Sequence, residues 1–113
     1  MLEDQVTSFF ETAITKTKSN RLSWSRPAIA DLNKLPYSGW DKDRCFIAKY
    51  KQGTIALAKD SEEDDVYCFI RPEPTMSYQE IGAPDDPLLR RLYNIVYSKF
   101  PSVESFIESF ISD

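Results

Sequence analysis

The sequence has 113 residues, of which 42% are hydrophobic and 13% aromatic, and its net charge is −4. This length and composition predict a single globular domain over residues 1–113 with one hydrophobic core. The sequence contains no histidine, which excludes Ser-His and Cys-His nucleophilic catalysis and every histidine metal site.

Two features of the sequence predict a cytoplasmic protein without a membrane span. No apolar run approaches the ~18 residues that a transmembrane helix needs. The N-terminal stretch MLEDQVTSFF carries two acidic residues where a signal peptide would carry positive charge. We therefore expect neither export nor membrane insertion.

Residues 2–18 predict an amphipathic helix. Glu3 and Asp4 fall in its first turn and Lys16 and Lys18 in its last, an order that suits the helix dipole. The apolar residues recur at intervals that place them on one helical face. They are Leu2, Val6, Phe9, Phe10, Ala13 and Ile14.

The segment 25–44 stays open between a helical and an irregular structure. Pro27 and Pro36 interrupt it. The stretch L-P-Y-S-G-W at 35–40 predicts a turn-rich connection that carries two aromatic residues. A short helix is allowed between the prolines by Ile29, Leu32 and Leu35.

Residues 45–71 change to the period of two that is typical of β-strands. C-F-I-A-K-Y (45–50), T-I-A-L-A-K (54–59) and V-Y-C-F-I-R (66–71) each have the length and composition of a strand. Gly53 predicts a three-residue hairpin loop with a positive φ at the glycine. Short links between consecutive strands predict an antiparallel β-meander.

Both faces of this meander are apolar. Pairing of Tyr50 with Thr54 would divide the apolar side chains into two sets. These are Phe46, Ala48, Ala56 and Ala58 on one face, and Ile47, Ile55 and Leu57 on the other. Because an antiparallel sheet with one face in water alternates more strictly, we expect the second face to be covered by the 25–44 segment, by a helix or by another subunit.

Two C-terminal helices complete the predicted fold. Asp85-Asp86-Pro87 is a typical helix start, and Pro101-Ser102 ends this helix and begins the next. Their apolar stripes are Leu88, Leu89, Leu92, Ile95 and Val96, then Val103, Phe106, Ile107, Phe110 and Ile111. The prediction is an α+β domain with an N-terminal helix, a three-stranded antiparallel β-meander and two C-terminal helices packed on the sheet.

The predicted order of elements also carries a resemblance, which covers most of the chain. The first helix runs into K-T-K-S-N-R-L-S-W at 16–24, and the three-stranded meander and helical tail follow. This layout resembles that of small uncharacterised bacterial and prophage proteins, with Trp24 as the distinctive residue. The resemblance implies no activity, and no functional residue is carried over from it.

The sequence predicts no catalytic, cofactor or metal site. Its three glycines lie too far apart for a phosphate-binding loop. Cys45 and Cys68 fall on the first and third strands, roughly 9–10 Å apart and beyond the ~7 Å limit for a disulfide, so we expect two reduced thiols. A carboxylate-dependent enzyme is kept as an alternative, with Glu73 and Glu80 as its candidate pair.

The run D-S-E-E-D-D at 60–65 places five carboxylates in six positions. It lacks the order of acids and the central glycine of an EF-hand loop, so it predicts no metal site. It can dock a basic partner as a mimic of DNA phosphates, or form a solvated loop that protects the end of the sheet from aggregation. Its partner-binding candidates are Asp60, Glu62, Glu63, Asp64 and Asp65.

The charge of the chain is divided unevenly. Residues 1–59 carry 10 basic and 6 acidic side chains, a balance of +4, whereas residues 60–113 carry 4 and 12, a balance of −8. Basic residues interleaved with aromatic rings can bind single-stranded nucleic acid, although we favour Trp24 and Trp40 as core anchors. The nucleic-acid-binding candidates are Lys16, Lys18, Arg21, Trp24 and Arg26.

These patterns predict a small non-enzymatic interaction protein, an accessory or inhibitory factor. Its partner is an unknown protein, or a second copy that associates through the second sheet face. Tyr37 and Trp40 in the Pro/Gly turn are the candidate interface residues. A nucleic-acid-associated regulator and a carboxylate-dependent enzyme are the alternatives.

Overall fold

The computed structural model describes residues 3–60 and 62–113 of the protein. The predicted helical residue Leu2 lies outside these ranges. The elements in chain order are α1 (Glu3–Lys18), β1 (Trp24–Ser25), α2 (Ile29–Leu32), a 3-10 turn (Lys42–Arg44), β2 (Cys45–Tyr50), β3 (Gly53–Lys59), β4 (Val66–Arg71), β5 (Gln79–Ile81), α3 (Pro87–Ser98) and α4 (Val103–Ser112). None of the helices in this described part has the length and apolarity that a membrane crossing requires.

The described residues form one five-stranded sheet in the order β1-β2-β3-β4-β5, and each neighbouring pair is antiparallel. The α+β class is confirmed. The predicted meander corresponds to β2, β3 and β4, but the count of three strands is wrong because β1 and β5 extend the sheet at its two edges. These edge strands have two and three residues, too few for a period of two to be visible in the sequence.

The register of the β2–β3 hairpin differs by one residue from the predicted one. Tyr50 pairs with Gly53, so that Lys51 and Gln52 form a two-residue loop, and the positive φ of 54° belongs to Lys51. A shift of one residue exchanges the faces of a strand. Phe46 therefore shares its face with Leu57, its cross-strand partner, and the two apolar sets predicted from a Tyr50–Thr54 pair are wrong.

Gly53 accommodates the close approach of β4, and it lies outside the two-residue turn. A Cβ at this position would lie 3.2 Å from the carbonyl oxygens of both Arg71 and Pro72. The glycine thus lets β3 and the end of β4 come together.

Helices α1 and α3 cover the first face of the sheet. The strand residues of this face are Phe46, Ala48, Ile55, Leu57, Val66, Cys68 and Ile81. The helices contribute Phe10, Ala13 and Ile14 from α1, and Leu89, Leu92, Tyr93 and Val96 from α3. The Tyr93 hydroxyl also donates a 2.9 Å hydrogen bond to the carbonyl oxygen of Arg44, which ties α3 to the start of β2.

The second face is covered by the chain between Pro27 and the 3-10 turn, as one of the predicted alternatives states. Within this segment only the four residues of α2 are α-helical. The cover consists of Leu32, Leu35 and Trp40, with Tyr78 from the chain before β5. It rests on Cys45, Ile47, Ala56, Ala58 and Phe69, where the two small alanines leave room for the larger side chains.

The two cysteines lie on opposite faces of the sheet. Cys45 belongs to the second face and Cys68 to the first, and both are free buried thiols in the described part of the chain. Burial raises the pKa of Cys45 to about 12 and raises the pKa of Cys68 as well. Both thiols therefore stay protonated and unreactive at neutral pH.

The two C-terminal helices begin as predicted but differ in packing. The Asp86 carboxylate caps α3 by accepting a 2.9 Å hydrogen bond from the Leu88 amide, and Ser102 caps α4. Helix α3 packs on the sheet, whereas no residue of α4 is buried by the described residues. The prediction that both helices pack on the sheet is therefore wrong for α4, since an apolar stripe indicates that a helix needs a cover but not where that cover is.

Gly82 and Gly39 form a matched pair for testing how α1 packs on the sheet. Both have left-handed φ angles, but a Cβ at Gly82 would lie 2.8 Å from the Phe10 ring, whereas one at Gly39 would meet no described atom within 4 Å. We expect each alanine variant to lose about 1–2 kcal/mol of stability through backbone strain, and Gly82→Ala to lose a further ~1–3 kcal/mol through overpacking. Urea unfolding followed by circular dichroism measures both free energies of unfolding, and equal losses would contradict this packing.

Candidate functional site

The turn at residues 36–40 is fastened by its own aromatic side chains. Tyr37 and Gly39 both adopt left-handed φ angles, of 66° and 85°, so the chain reverses sharply here. The Trp40 indole Nε1 donates a 2.8 Å hydrogen bond to the carbonyl oxygen of Pro36, closing the turn. The Tyr37 hydroxyl donates a 2.7 Å hydrogen bond to Oε1 of Glu80, which ties the turn to the edge strand β5.

Four aromatic rings meet where this turn lies against β4. The Trp40 ring centroid is 5.4 Å from that of Tyr67 and 6.0 Å from that of Phe69, both in edge-to-face arrangements. The Tyr37 ring lies 5.9 Å from Tyr67. Phe69 is fully buried below, whereas Tyr37 is 67% exposed. The cluster thus has a core side and an open side.

The acidic loop between β3 and β4 is ordered by its own carboxylates. The Asp60 side chain accepts hydrogen bonds from the amides of Glu62 and Glu63 at 2.8 and 3.4 Å. Asp64 forms ion pairs of 3.0 Å with Lys59 and 2.9 Å with Arg90. Hydrogen bonding to Lys59, and then to Arg90, lowers the pKa of the Asp64 carboxyl. The loop is therefore held to β3 and α3.

The turn and the acidic loop together line one cleft of about 540 Å³. We call it the aromatic–acidic cleft, and its lining residues are Tyr37, Ser38, Gly39, Trp40, Asp60, Glu62 and Tyr67. Two separate sets of predicted candidates, the pair Tyr37 and Trp40 and the acidic run, thus contribute to one site. Glu63, Asp64 and Asp65 lie outside the lining, and as binding residues they stay predictions.

The cleft has a negative electrostatic environment. Burial, followed by the charges of Asp65 and Asp60, raises the pKa of Tyr67. The hydrogen bond to Glu80 raises the pKa of Tyr37. Both phenols therefore remain neutral at physiological pH, and they line the same cleft as Asp60 and Glu62.

Sequence reasoning missed Tyr67 as a site residue. The sequence pattern V-Y-C-F-I-R predicts only a strand at this position. The available signal was the alternation itself, because Tyr67 and Phe69 are two residues apart and share one sheet face. Their rings stack at 6.2 Å with an interplanar angle of 4°.

The basic candidates near Trp24 are partly engaged within the fold. The Trp24 indole Nε1 donates a 3.0 Å hydrogen bond to Oγ1 of the buried Thr17. The Arg26 guanidinium lies 4.6 Å from the Phe46 ring centroid and donates a 2.6 Å hydrogen bond to the carbonyl oxygen of Asp43. Lys18 and Arg21 are exposed, and Lys16 lies over the Tyr50 ring. Nucleic-acid binding by this set stays a prediction.

Glu73 and Glu80, the carboxylate pair considered for catalysis, have different surroundings. Glu73 borders a groove beside the β2–β3 hairpin, whereas Glu80 accepts the hydrogen bond from Tyr37. Residues 3–60 and 62–113 contain no group of three or more Cys, Asp or Glu side chains placed to hold a metal ion.

Comparisons with protein-family models, with curated proteins and with solved structures find no match for this chain. The resemblance of its layout to small bacterial and prophage proteins stays an expectation.

The Asp64 ion pairs predict a pH-dependent contribution to stability. Because the folded state lowers the pKa of Asp64, this contribution is present above the ordinary aspartate pKa of about 4 and is lost as the pH falls through the lowered value. We expect Asp64→Asn to be less stable than the wild type at pH 7, and this gap to vanish in acid and shrink in high salt.

Glu63→Gln is the matched control for Asp64→Asn, since it removes one charge from an exposed position of the same loop and Glu63 forms no ion pair within the described residues. Thermal unfolding midpoints at pH 7 and in acid measure both variants. Equal midpoints for the two variants at pH 7 would show that the ion pairs do not hold the loop.

Proposed function

We propose that this protein is a small non-enzymatic interaction factor that binds a basic side chain of a partner protein in the aromatic–acidic cleft. The observation that carries the proposal is that three aromatic residues, Tyr37, Trp40 and Tyr67, line the same cleft as the carboxylates of Asp60 and Glu62. An accessory or inhibitory role in a bacterial cytoplasm is part of this proposal, and it is supported by the resemblance of the layout alone.

The chemistry of the cleft suits a lysine or an arginine. A cation within about 6 Å of an aromatic ring centroid is attracted by the ring, and Trp and Tyr are the most effective rings. Carboxylates add charge-assisted hydrogen bonds to an ammonium or guanidinium group. The volume of about 540 Å³ is comparable with that of pockets that bind small ligands, roughly 300–1,000 Å³.

The cleft carboxylates are available to a partner. Among the described residues, the ion pairs of the acidic loop involve Asp64 with Lys59 and Arg90, and neither Asp60 nor Glu62 forms one. The basic side chains of the protein therefore neutralise the side of the loop that faces α3. The negative charge beside the rings is left for an incoming cation.

The walls of the cleft are ordered before binding. The indole–carbonyl bond of Trp40 fixes the turn, the Tyr37–Glu80 bond joins it to β5, and the Asp60 carboxylate fixes the loop. Ordering a binding surface in advance lowers the entropy cost of association. Tyr and Trp are also the residue types most enriched at the energetic centres of protein interfaces.

A peptide titration tests the proposal directly. Three short peptides that differ only at the central residue, which is lysine, arginine or glutamine, are titrated into ¹⁵N-labelled protein. We expect the lysine or arginine peptide, but not the glutamine peptide, to shift the Trp40 indole N–H signal. The Trp24 indole signal is the internal control, because Trp24 lies outside the lining of the cleft.

Matched variants separate the ring, hydroxyl and carboxylate contributions. We expect Tyr37→Ala to weaken peptide binding more than Tyr37→Phe, which keeps the ring. Asp60→Asn and Glu62→Gln should each weaken it about two- to fivefold, the range for loss of one exposed charge pair. Glu63→Gln should leave it unchanged. Equal binding of the glutamine peptide, or equal effects of Glu62→Gln and Glu63→Gln, would contradict the proposal.

A further inference from the structure

Helix α4 presents an uncovered apolar stripe made of Val103, Phe106, Ile107, Phe110 and Ile111. Phe106 is 70% exposed, Phe110 76% and Ile111 77%. The rings of Phe106 and Phe110 lie 6.5 Å apart and nearly parallel, so they form one continuous surface. The charged residues of the helix, Glu104 and Glu108, are both acidic.

The size of this stripe is that of a protein interface. An aromatic side chain alone accounts for about 150–250 Å², so two phenylalanines and three aliphatic residues expose several hundred Å². The largest apolar patch on a typical monomer is about 300–600 Å² and is often functional. Two such stripes, each buried on a partner surface of similar area, would exceed the ~1,200 Å² lower bound of a stable interface.

The same chain carries an apolar groove of about 490 Å³ beside the β2–β3 hairpin. We call it the hairpin groove, and its apolar lining is Phe9, Tyr50, Ile55, Ile70 and Pro72. Tyr50 is 52% exposed. The groove therefore offers both an apolar floor and an accessible aromatic ring to a helix of matching character.

The charges at the groove complement those of α4. The ammonium groups of Lys16 and Lys51 lie 5.3 and 5.4 Å from the Tyr50 ring centroid, and Glu73 is the acidic lining residue. Helix α4 carries two carboxylates, of Glu104 and Glu108, and no basic side chain. Opposite charges on two surfaces favour their association and fix its orientation.

In its own chain α4 starts away from this groove. The Phe100 ring, which precedes α4, lies 4.8 Å from Phe46 at the beginning of β2. The groove lies at Tyr50, four residues further along the strand or roughly 13 Å. An antiparallel pairing of two α4 helices is disfavoured, because Glu104 and Glu108 flank one edge of the stripe and would face like charges in the other helix.

We propose that α4 docks into the hairpin groove of a second copy of this chain. The apolar stripe covers Tyr50 and Ile55 of the other copy, and Glu104 and Glu108 approach its Lys16 and Lys51. Reciprocal docking of both helices closes a two-fold dimer. This surface is separate from the aromatic–acidic cleft.

The oligomeric state tests the stripe. Sedimentation velocity over a concentration series should show a dimer for the full chain and a monomer for Phe110→Glu. Ser109→Glu is the matched control, since it adds the same charge on the polar side of α4 and should leave the dimer intact. Phe110 is exposed in the single chain, so the variant should keep the far-UV circular dichroism spectrum of the wild type. A wild-type monomer at several hundred micromolar would overturn the proposal.

A charge exchange tests the groove. Replacing Glu104 and Glu108 by lysine, or Lys16 and Lys51 by glutamate, should each raise the dimer dissociation constant at least tenfold, and combining all four changes should restore it. Loss of the dimer in Phe110→Glu without any response to the Lys16 and Lys51 changes would overturn the assignment to the groove. Peptide binding in the aromatic–acidic cleft should be unaffected by Phe110→Glu, so the two proposals fail separately.

Discussion

The burial of both faces of β3 is the constraint on which the rest of the structure depends. Every residue from Thr54 to Ala58 is buried, so the strand needs an apolar cover on each side. Helices α1 and α3 provide the first cover with large side chains. The second cover is irregular and rests on Ala56 and Ala58. These small residues let the chain between α2 and β2 pack closely against the sheet.

The second cover explains why the candidate site lies where it does. A segment that must bury Leu35 and then return to the start of β2 has to reverse sharply, and it does so through the left-handed residues Tyr37 and Gly39. Trp40 packs against Phe69 below and Tyr67 beside it. The fold therefore presents an aromatic turn next to the β3–β4 loop, whose carboxylates remain in solvent. Packing and the proposed recognition involve the same aromatic residues. Tyr37, the most exposed ring of the cluster, is therefore the one that can be changed with the least loss of stability.

The sequence predicted the parts of the fold that have a strong local period, and it failed where tertiary contacts decide. The elements with enough residues to show a pattern are β2, β3, β4, α1 and α3, whereas β1 and β5 are too short.

The predicted register of the β2–β3 hairpin was wrong by one residue because Gly53 is a typical turn residue. Its role in the structure, the close approach of β4, is a long-range contact. The candidate site also depends on tertiary contacts. The sequence indicated Tyr37 and Trp40 and the acidic run as separate candidates, but it did not show that the chain between α2 and β2 places them at one cleft. Tyr67 was hidden within a strand that otherwise reads as core.

The uneven charge of the chain can be related to two surfaces, the aromatic–acidic cleft and the apolar stripe of α4. Within one molecule, Lys59 and Arg90 neutralise Asp64, which uses part of the basic charge to hold the acidic loop. Other acidic residues lie next to apolar surface: Asp60 and Glu62 line the cleft with its aromatic residues, and Glu104 and Glu108 lie on α4 with its apolar stripe. Apolar contact supplies most of the free energy of association and is indifferent to the partner, whereas the adjoining carboxylates reject acidic surfaces and favour basic ones. Under the two proposals, neighbouring side chains at each surface supply affinity and selectivity, and the negative charge at both would direct each surface toward a basic partner.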